Sequence, residues 1–297
     1  MTVHRFAHQA MGTFFEILIV GGEAGYAGQA AQAGFAEIDR SDRLFSRFDS
    51  RSEIYQINRL SPGGRMIIGV ETFQCLTQAE WARRETGGAF DVNVRGWTNR
   101  EHPDTSVTPG VRPDAAFELI ERAAGYEIQR RNGRSGAIPA LALDLGAIGK
   151  GFALDAAREI LKDWDIENVL LHGGTSTALA TGSAPAYEET GGGWPVGVGG
   201  GWPDLGVPGE IVLRERALSG SGTEVKGQHI LDPRTGKPAG GHVAAWAAHR
   251  SAAMSDVLST AVMVMSADEV ETFCSVHPEV SVLAVVKYGE CRAYNWT

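Results

Sequence analysis

Glycine constrains this chain more than any other residue type. It fills 38 of 297 positions, about 13%, nearly twice the usual share of roughly 7%. Many fall in doublets or runs, at Gly21-Gly22, Gly87-Gly88, Gly173-Gly174, Gly191-Gly192-Gly193 and Gly199-Gly200-Gly201. The chain therefore needs many tight turns, or places where bare backbone lies against something else. Tryptophan, valine and proline are interleaved through 182–209, so this stretch reads as short strands joined by glycine turns.

Between the glycines the hydrophobic pattern changes period repeatedly. Thr13 to Val20 is β-branched and aromatic and reads as a strand closed by Gly21-Gly22. Tyr26 to Phe45 carries apolar residues at helical spacing, and Glu71 to Glu85 predicts a second helix with Phe73, Leu76 and Trp81 inward. Residues 98–114 read as a loop, Ala115 to Ala124 as a short helix, Asn132-Gly133 as a hairpin turn and Ile138 to Leu145 as a strand. The strongest helix, Gly151 to Trp164, has an i, i+4 ladder of Phe152, Ala156, Ile160 and Trp164. Further strands are expected at Asn168 to Leu171, Ile211 to Leu213, His229 to Leu231, Val280 to Val286 and Arg292 to Asn295, with a helix from Ser255 to Met265. Strands and helices mix without a regular βαβ beat and without a repeat. The expected fold class is α+β, with mixed or antiparallel sheets and packed helices, in one domain over 1–297.

With 27 Lys+Arg against 36 Asp+Glu the net charge is −9, which argues against a nucleic-acid or anionic-membrane surface. An anionic ligand would need local donors or a metal. Cys75, Cys274 and Cys291 lie far apart, so neither a zinc knuckle nor a disulfide framework is expected. No stretch reaches 18 consecutive apolar residues, and residues 1–6 lack a basic region followed by an apolar one, so the expectation is a soluble cytoplasmic protein.

Four strings could carry chemistry. In Ser255-Asp256-Val257-Leu258-Ser259-Thr260, Ser255 is a good N-cap, which would put Asp256 in the first turn and Thr260 on the same face one turn on. A carboxylate and a hydroxyl stacked there offer hard oxygens suited to Mg²⁺, beside a helix start favourable to phosphate. Alternatively Asp256 only complements the dipole and Thr260 packs. In Asp144-Leu145-Gly146-Ala147-Ile148-Gly149-Lys150-Gly151, a strand runs through a glycine turn bearing Lys150 into a helix. The spacing is not that of a Walker A loop, and the lysine either meets an anion or is solvated. His229-Ile230-Leu231-Asp232-Pro233 puts a titratable ring before a tight turn, for catalysis or for structure. Gly87-Gly88-Ala89-Phe90-Asp91 caps a helix, with Phe90 either flanking a flat ring or in the core. No G-x-G-x-x-G opens a helix, and the near-esterase string His172-Gly173-Gly174-Thr175-Ser176-Thr177-Ala178 lacks its final glycine.

Taken in order, these strings resemble one family, the ApbE-type FAD:protein FMN transferases. The match comprises Met11-Gly12-Thr13, Phe45-Ser46-Arg47-Phe48-Asp49 with Ser52 and Asn58, GGAFD, DLGAIGKGFALD, the His-Gly-Gly turn at 172–174, HILDPRTGKP and SDVLSTA. It spans roughly residues 11–265. The resemblance implies Mg²⁺-dependent cleavage of the FAD pyrophosphate, with FMN passed to a threonine of an acceptor flavoprotein bearing a D-x-x-[SA]-T segment and AMP released. It also implies a flavin-transferase, T-fold-like architecture with FAD in a central cleft.

Carried over residue by residue, the resemblance makes Asp256 and Thr260 metal ligands, with the carbonyl of Ala147 completing the site. Met11, Phe48, Ala89, Phe90, Asp91, Asp144, Lys150, His229 and Ile230 fall on FAD-contacting positions. We assign His229 as base or positioning group for the acceptor hydroxyl, acting with Asp256 and Thr260. The chain departs from the family pattern at Thr175, where an acidic or amide residue is usual, at His172, where Asn is frequent, and at Val92-Asn93, which replaces a common Pro/Ile-Thr. These changes touch the flavin cleft more than the metal. Two other readings stay open: an FAD pyrophosphatase without acceptor, and a flavin-binding protein without catalysis.

Overall fold

The computed structural model describes residues 2–94, 116–131, 141–199, 206–223, 230–286 and 290–296. Its frame is an eight-stranded sheet in the order β1-β2-β6-β7-β10-β11-β12-β13. These strands are β1 (Val3–Ala10), β2 (Thr13–Val20), β6 (Val169–Gly173), β7 (Thr177–Thr181), β10 (Arg216–Gly222), β11 (His242–His249), β12 (Ser281–Val286) and β13 (Cys291–Tyr294). Every neighbouring pair is antiparallel, so no right-handed crossover is required and the α+β class holds.

Alternation along the strands gives the sheet two buried faces. On β11, Ala245 and Ala247 join one core, while Ala244, Trp246 and Ala248 join another. The first face is covered by α1 (Ala24–Phe45), α4 (Gly149–Asp163) and α5 (Ala252–Val264). The second is covered by a two-stranded sheet of β8 (Trp194–Gly197) and β9 (Glu210–Leu213), whose Trp194, Val196 and Leu213 pack on Leu170, Ala180 and Leu218. Beside the helical layer, β3 (Arg65–Ile68), β5 (Gly125–Arg130) and β4 (Phe117–Arg122) form a third sheet in the order β3-β5-β4. It packs on α3 (Val70–Glu85), while α2 (Glu53–Ile57) contacts α1, and α6 (Ala267–Val276) lies against β12 and β13.

Four sequence expectations are corrected. Ala115 to Ala124 is not helical where described. Phe117–Arg122 pairs with Gly125–Arg130, because burying Phe117 and Ile128 outweighs helix-forming Ala, Glu and Leu. Residues 141–145 of the expected strand Ile138 to Leu145 form no strand. Side chains take their backbone groups instead: Leu143 N donates to Asn58 Oδ1 (2.6 Å), Ala142 N donates to Asn93 Oδ1 (2.7 Å), and Leu143 O accepts from Asn58 Nδ2 (3.0 Å). The expected strand near His229 to Leu231 reduces, among the described residues, to one bridge between Leu231 and Pro238. Trp81 is part of the exposed surface of α3 and not of its inner face. The loop expected at 98–114 and the Asn132-Gly133 turn lie outside the described residues. No described helix is long and apolar enough to cross a membrane.

Candidate functional site

Helix α5 begins earlier than its sequence suggests, and this changes what Asp256 does. Ser251 is the N-cap, its hydroxyl accepting from Met254 N at 3.2 Å. Ser255, the expected cap, lies inside the helix and donates back to Ser251 O at 3.1 Å. The acid that serves the helix start is Asp155 on α4, which accepts from Ala252 N (2.9 Å), Ala253 N (3.0 Å) and Ser251 Oγ (2.6 Å). Asp256 thus sits beyond the first turn, released from capping and facing the sheet.

Its surroundings are unusual for a carboxylate, which rarely tolerates burial without partners. Asp256 is 4% exposed. Its Oδ1 accepts from Ser219 Oγ on β10 at 3.0 Å and from Thr177 Oγ1 on β7 at 3.5 Å. Its Oδ2 lies 2.9 Å from Lys150 Nζ. One helical turn on, Thr260 Oγ1 donates to Asp256 O at 3.2 Å and lies 3.4 Å from Ser221 Oγ. Lys150 is the second residue of α4 and not part of the preceding turn. It also donates to Gly146 O at 3.3 Å.

Loops complete the surroundings. Asp144 donates its N–H to Val92 O (2.8 Å), accepts from Gly146 N through Oδ1 (3.0 Å) and faces Arg47 Nε through Oδ2 (3.3 Å). The Arg47 guanidinium lies 4.1 Å from the ring centre of Phe48, whose side chain is 76% exposed. Met11 holds φ 50° and Gly12 φ 69°, so the β1–β2 turn is left-handed at both positions, and Met11 N donates to Asp42 Oδ2 at 2.9 Å.

A cleft of about 1260 Å³ joins these parts. Met11, Phe48, Asp144, Ala147, Lys150 and Ile230 line it, with Asp256 and Thr260 on its helical side. Ala89, Phe90 and Asp91 line it too, although Ala89 and Phe90 are core residues, Phe90 being 3% exposed. His229 lies outside the described residues. Sequence reasoning named His172 on the other side of the cleft but passed over Leu218, Trp246 and Val196 of β8, which line it there. The readable signal there was glycine in and just beyond strands: a Cβ at Gly199, which follows β8, or at Gly220 in β10 would lie 2.6 or 2.8 Å from the Trp246 ring. Burial pushes the His172 imidazole below its ordinary pKa, so it is biased toward the neutral form.

The model of the ApbE family matches residues 11–284. The chain belongs to the ApbE family. A relative from Vibrio cholerae named FAD:protein FMN transferase is 26% identical over 269 residues, covering 84% of this chain and 78% of that protein. In structure the chain resembles the ApbE protein of Thermotoga maritima, with TM-score 0.78, 24% identity and coverage of 99% of this chain and 97% of that one. It also resembles the flavinyl transferase ApbE of Pseudomonas stutzeri, with TM-score 0.77, 19% identity and coverage of 99% and 95%. At these identities the structural likeness shows that the chain has the ApbE fold.

The donors of this ApbE chain fit a hard cation. Among the described residues no three His, Cys, Asp or Glu side chains gather as a metal cluster. Asp256 offers a buried carboxylate, Thr260 a hydroxyl one helical turn on, and Ala147, which lines the same cleft, has a backbone carbonyl to add. One carboxylate with neutral oxygens suits Mg²⁺, which keeps waters and substrate phosphates as its remaining ligands.

Proposed function

We propose that this ApbE-family chain is a Mg²⁺-dependent FAD:protein FMN transferase acting on a threonine of an acceptor flavoprotein. The observation that carries this reading is the buried Asp256 carboxylate, shared by Lys150, Ser219 and Thr177 on a cleft of dinucleotide size. Curated relatives named FAD:protein FMN transferase support the same reaction class.

In this reading the acceptor threonine oxygen bonds to the FMN-side phosphorus as the bond from that phosphorus to the bridging oxygen breaks. AMP leaves with the bonding pair, and the threonine proton passes to a base. His229 is assigned as that base or as a positioning group for the acceptor hydroxyl, and Ile230, next to it in sequence, lines the cleft. Asp256, Thr260 and the Ala147 carbonyl would hold Mg²⁺, which when bound supplies positive charge against the pyrophosphate oxygens. Lys150 adds an ammonium, and the exposed Phe48 offers a ring face for a flat heterocycle. Positioning and charge neutralisation are the main requirements of phosphoryl transfer.

The deciding experiment incubates the protein with FAD, Mg²⁺ and an acceptor domain bearing a D-x-x-[SA]-T segment, then weighs both proteins. An acceptor gain of one FMN phosphodiester, lost in Asp256→Ala, is expected. Free FMN and AMP without acceptor gain would make the protein an FAD pyrophosphatase, and no product at all would make it a flavin binder. His229→Ala should lower transfer on the order of 10²-fold or more; wild-type rates from pH 6 to 9 would remove the base assignment.

A further inference from the structure

We infer that Lys150 and the divalent cation compete for the Asp256 carboxylate, so that metal and dinucleotide bind this site cooperatively. The inference rests on the transferase reading. Its starting point is how fully one carboxylate is occupied: Oδ1 accepts from Ser219 Oγ at 3.0 Å and Thr177 Oγ1 at 3.5 Å, while Lys150 Nζ spans both oxygens, 2.9 Å from Oδ2 and 3.3 Å from Oδ1.

The lysine stands in a cation's surroundings. Its ammonium is bound by a carboxylate oxygen and by the carbonyl of Gly146 at 3.3 Å, one residue before Ala147. Carboxylate and peptide carbonyl are also the donors a Mg²⁺ ion would take here. An ammonium and a dication on one buried carboxylate repel each other at short range, and Asp256 has little water to screen them. Binding the metal would therefore require the ammonium to leave the carboxylate.

Where it goes is set by the geometry of its anchor. Gly151 locks the start of α4 against α5, since a Cβ there would lie 2.2 Å from Ala252 O. The backbone of Lys150 is thus fixed while its four-carbon stem is free to swing, and its side chain is 21% exposed, toward the cleft. With no anion in the cleft, the displaced ammonium would exchange a buried ion pair for water. A pyrophosphate gives it a new anionic partner. FAD thereby removes the competitor that weakens the metal, and by linkage the metal strengthens FAD by the same factor.

The test reads metal affinity directly, by electron paramagnetic resonance of free Mn²⁺ titrated into the protein without FAD. Lys150→Gln should bind Mn²⁺ at least tenfold more tightly than wild type, and Lys150→Arg, which keeps the charge, should show no gain. Equal or weaker affinity in Lys150→Gln overturns the inference, as does a gain in Lys150→Arg. A Lys150→Gln protein that folds only when Mn²⁺ is supplied supports it, because the metal then replaces the missing cation. If that variant folds under neither condition, Lys150→Met, which keeps the stem without the charge, is titrated in its place, and equal or weaker affinity there likewise overturns the inference. Asp256→Asn separates the two levels of the argument. Undiminished Mn²⁺ binding in Asp256→Asn removes the metal reading itself, whereas loss there without a gain in Lys150→Gln removes only the competition.

Discussion

Removing the Asp155 carboxylate would leave Ser251 Oγ, Ala252 N and Ala253 N without their acceptor at the start of α5. Because these are charge-assisted bonds at a helix N-terminus, Asp155→Ala should destabilise the protein by about 2–3 kcal/mol in chemical denaturation. Asp155→Asn, which keeps an acceptor oxygen, should cost less. A change below about 0.5 kcal/mol would show that α5 does not depend on this cap. The sequence reading put the N-cap at Ser255, whereas Ser251, an equally good capping residue, takes that place. The choice is tertiary: Asp155, nearly a hundred positions earlier, reaches Ser251 and the two N–H groups that follow. Asp256 and Thr260 were still legible, because their spacing of four survives a shift of the helix start. The sequence marked Lys150 as a cation that could meet an anion, but its ion pair with Asp256 joins residues more than a hundred positions apart and left no local trace.

At the level of elements, the α4–α5 contact sets the distance between those two charges. A Cβ at Gly151 would meet Ala252 O at 2.2 Å, Ala252 C at 2.4 Å and Ala253 Cα at 2.6 Å, all backbone atoms that cannot rotate away. Gly151→Ala should therefore force the helices apart, costing about 3 kcal/mol or more in thermal or chemical unfolding. It should also weaken Mn²⁺ or FAD binding in the folded fraction. Gly149→Ala is the matched control, since its Cβ would meet only Phe45 Cδ2 at 3.6 Å and Leu145 Cβ at 3.9 Å. Equal behaviour of the two variants would refute the close-approach account. Strong periodicity made β2, α1 and α3 readable close to their ends. The errors fell where another element supplies the partner. The β4–β5 hairpin depends on burial against the helical layer, and residues 141–145 run extended between the amides of Asn58 and Asn93. Asn93, one of the departures from the family pattern, thus serves that segment's backbone.

For the molecule as a whole, the buried histidines set how stability responds to acid. Burial pushes His172, His242 and His249 below the ordinary imidazole value of 6.5. A folded pKa below the unfolded one means that the unfolded chain binds protons first as pH falls. Stability from this source is complete above about pH 6.5 and is lost progressively below it, by up to about 1.4 kcal/mol per pH unit for each histidine within its window. His242 should dominate, being 3% exposed. Its Nδ1 lies 2.7 Å from Val262 O, so Nδ1 carries the proton and Nε2 is the site that would have to accept the next one. Nε2 is buried with no hydrogen-bond partner among the described residues, and the charge of Arg292 further opposes protonation. Glu80, held low by Arg83 and Arg84, and Glu269, held low by the Ser266 N–H and by Arg234, act in a separate window beginning below about 4.5. Thermal unfolding followed from pH 7.5 to 5 should accordingly show a loss of stability before any carboxylate titrates. In His242→Gln that early loss should shrink, whatever the variant's stability at pH 7.5. A wild-type curve flat between pH 6.5 and 5, or a loss as steep in His242→Gln as in wild type, would take this role away from His242.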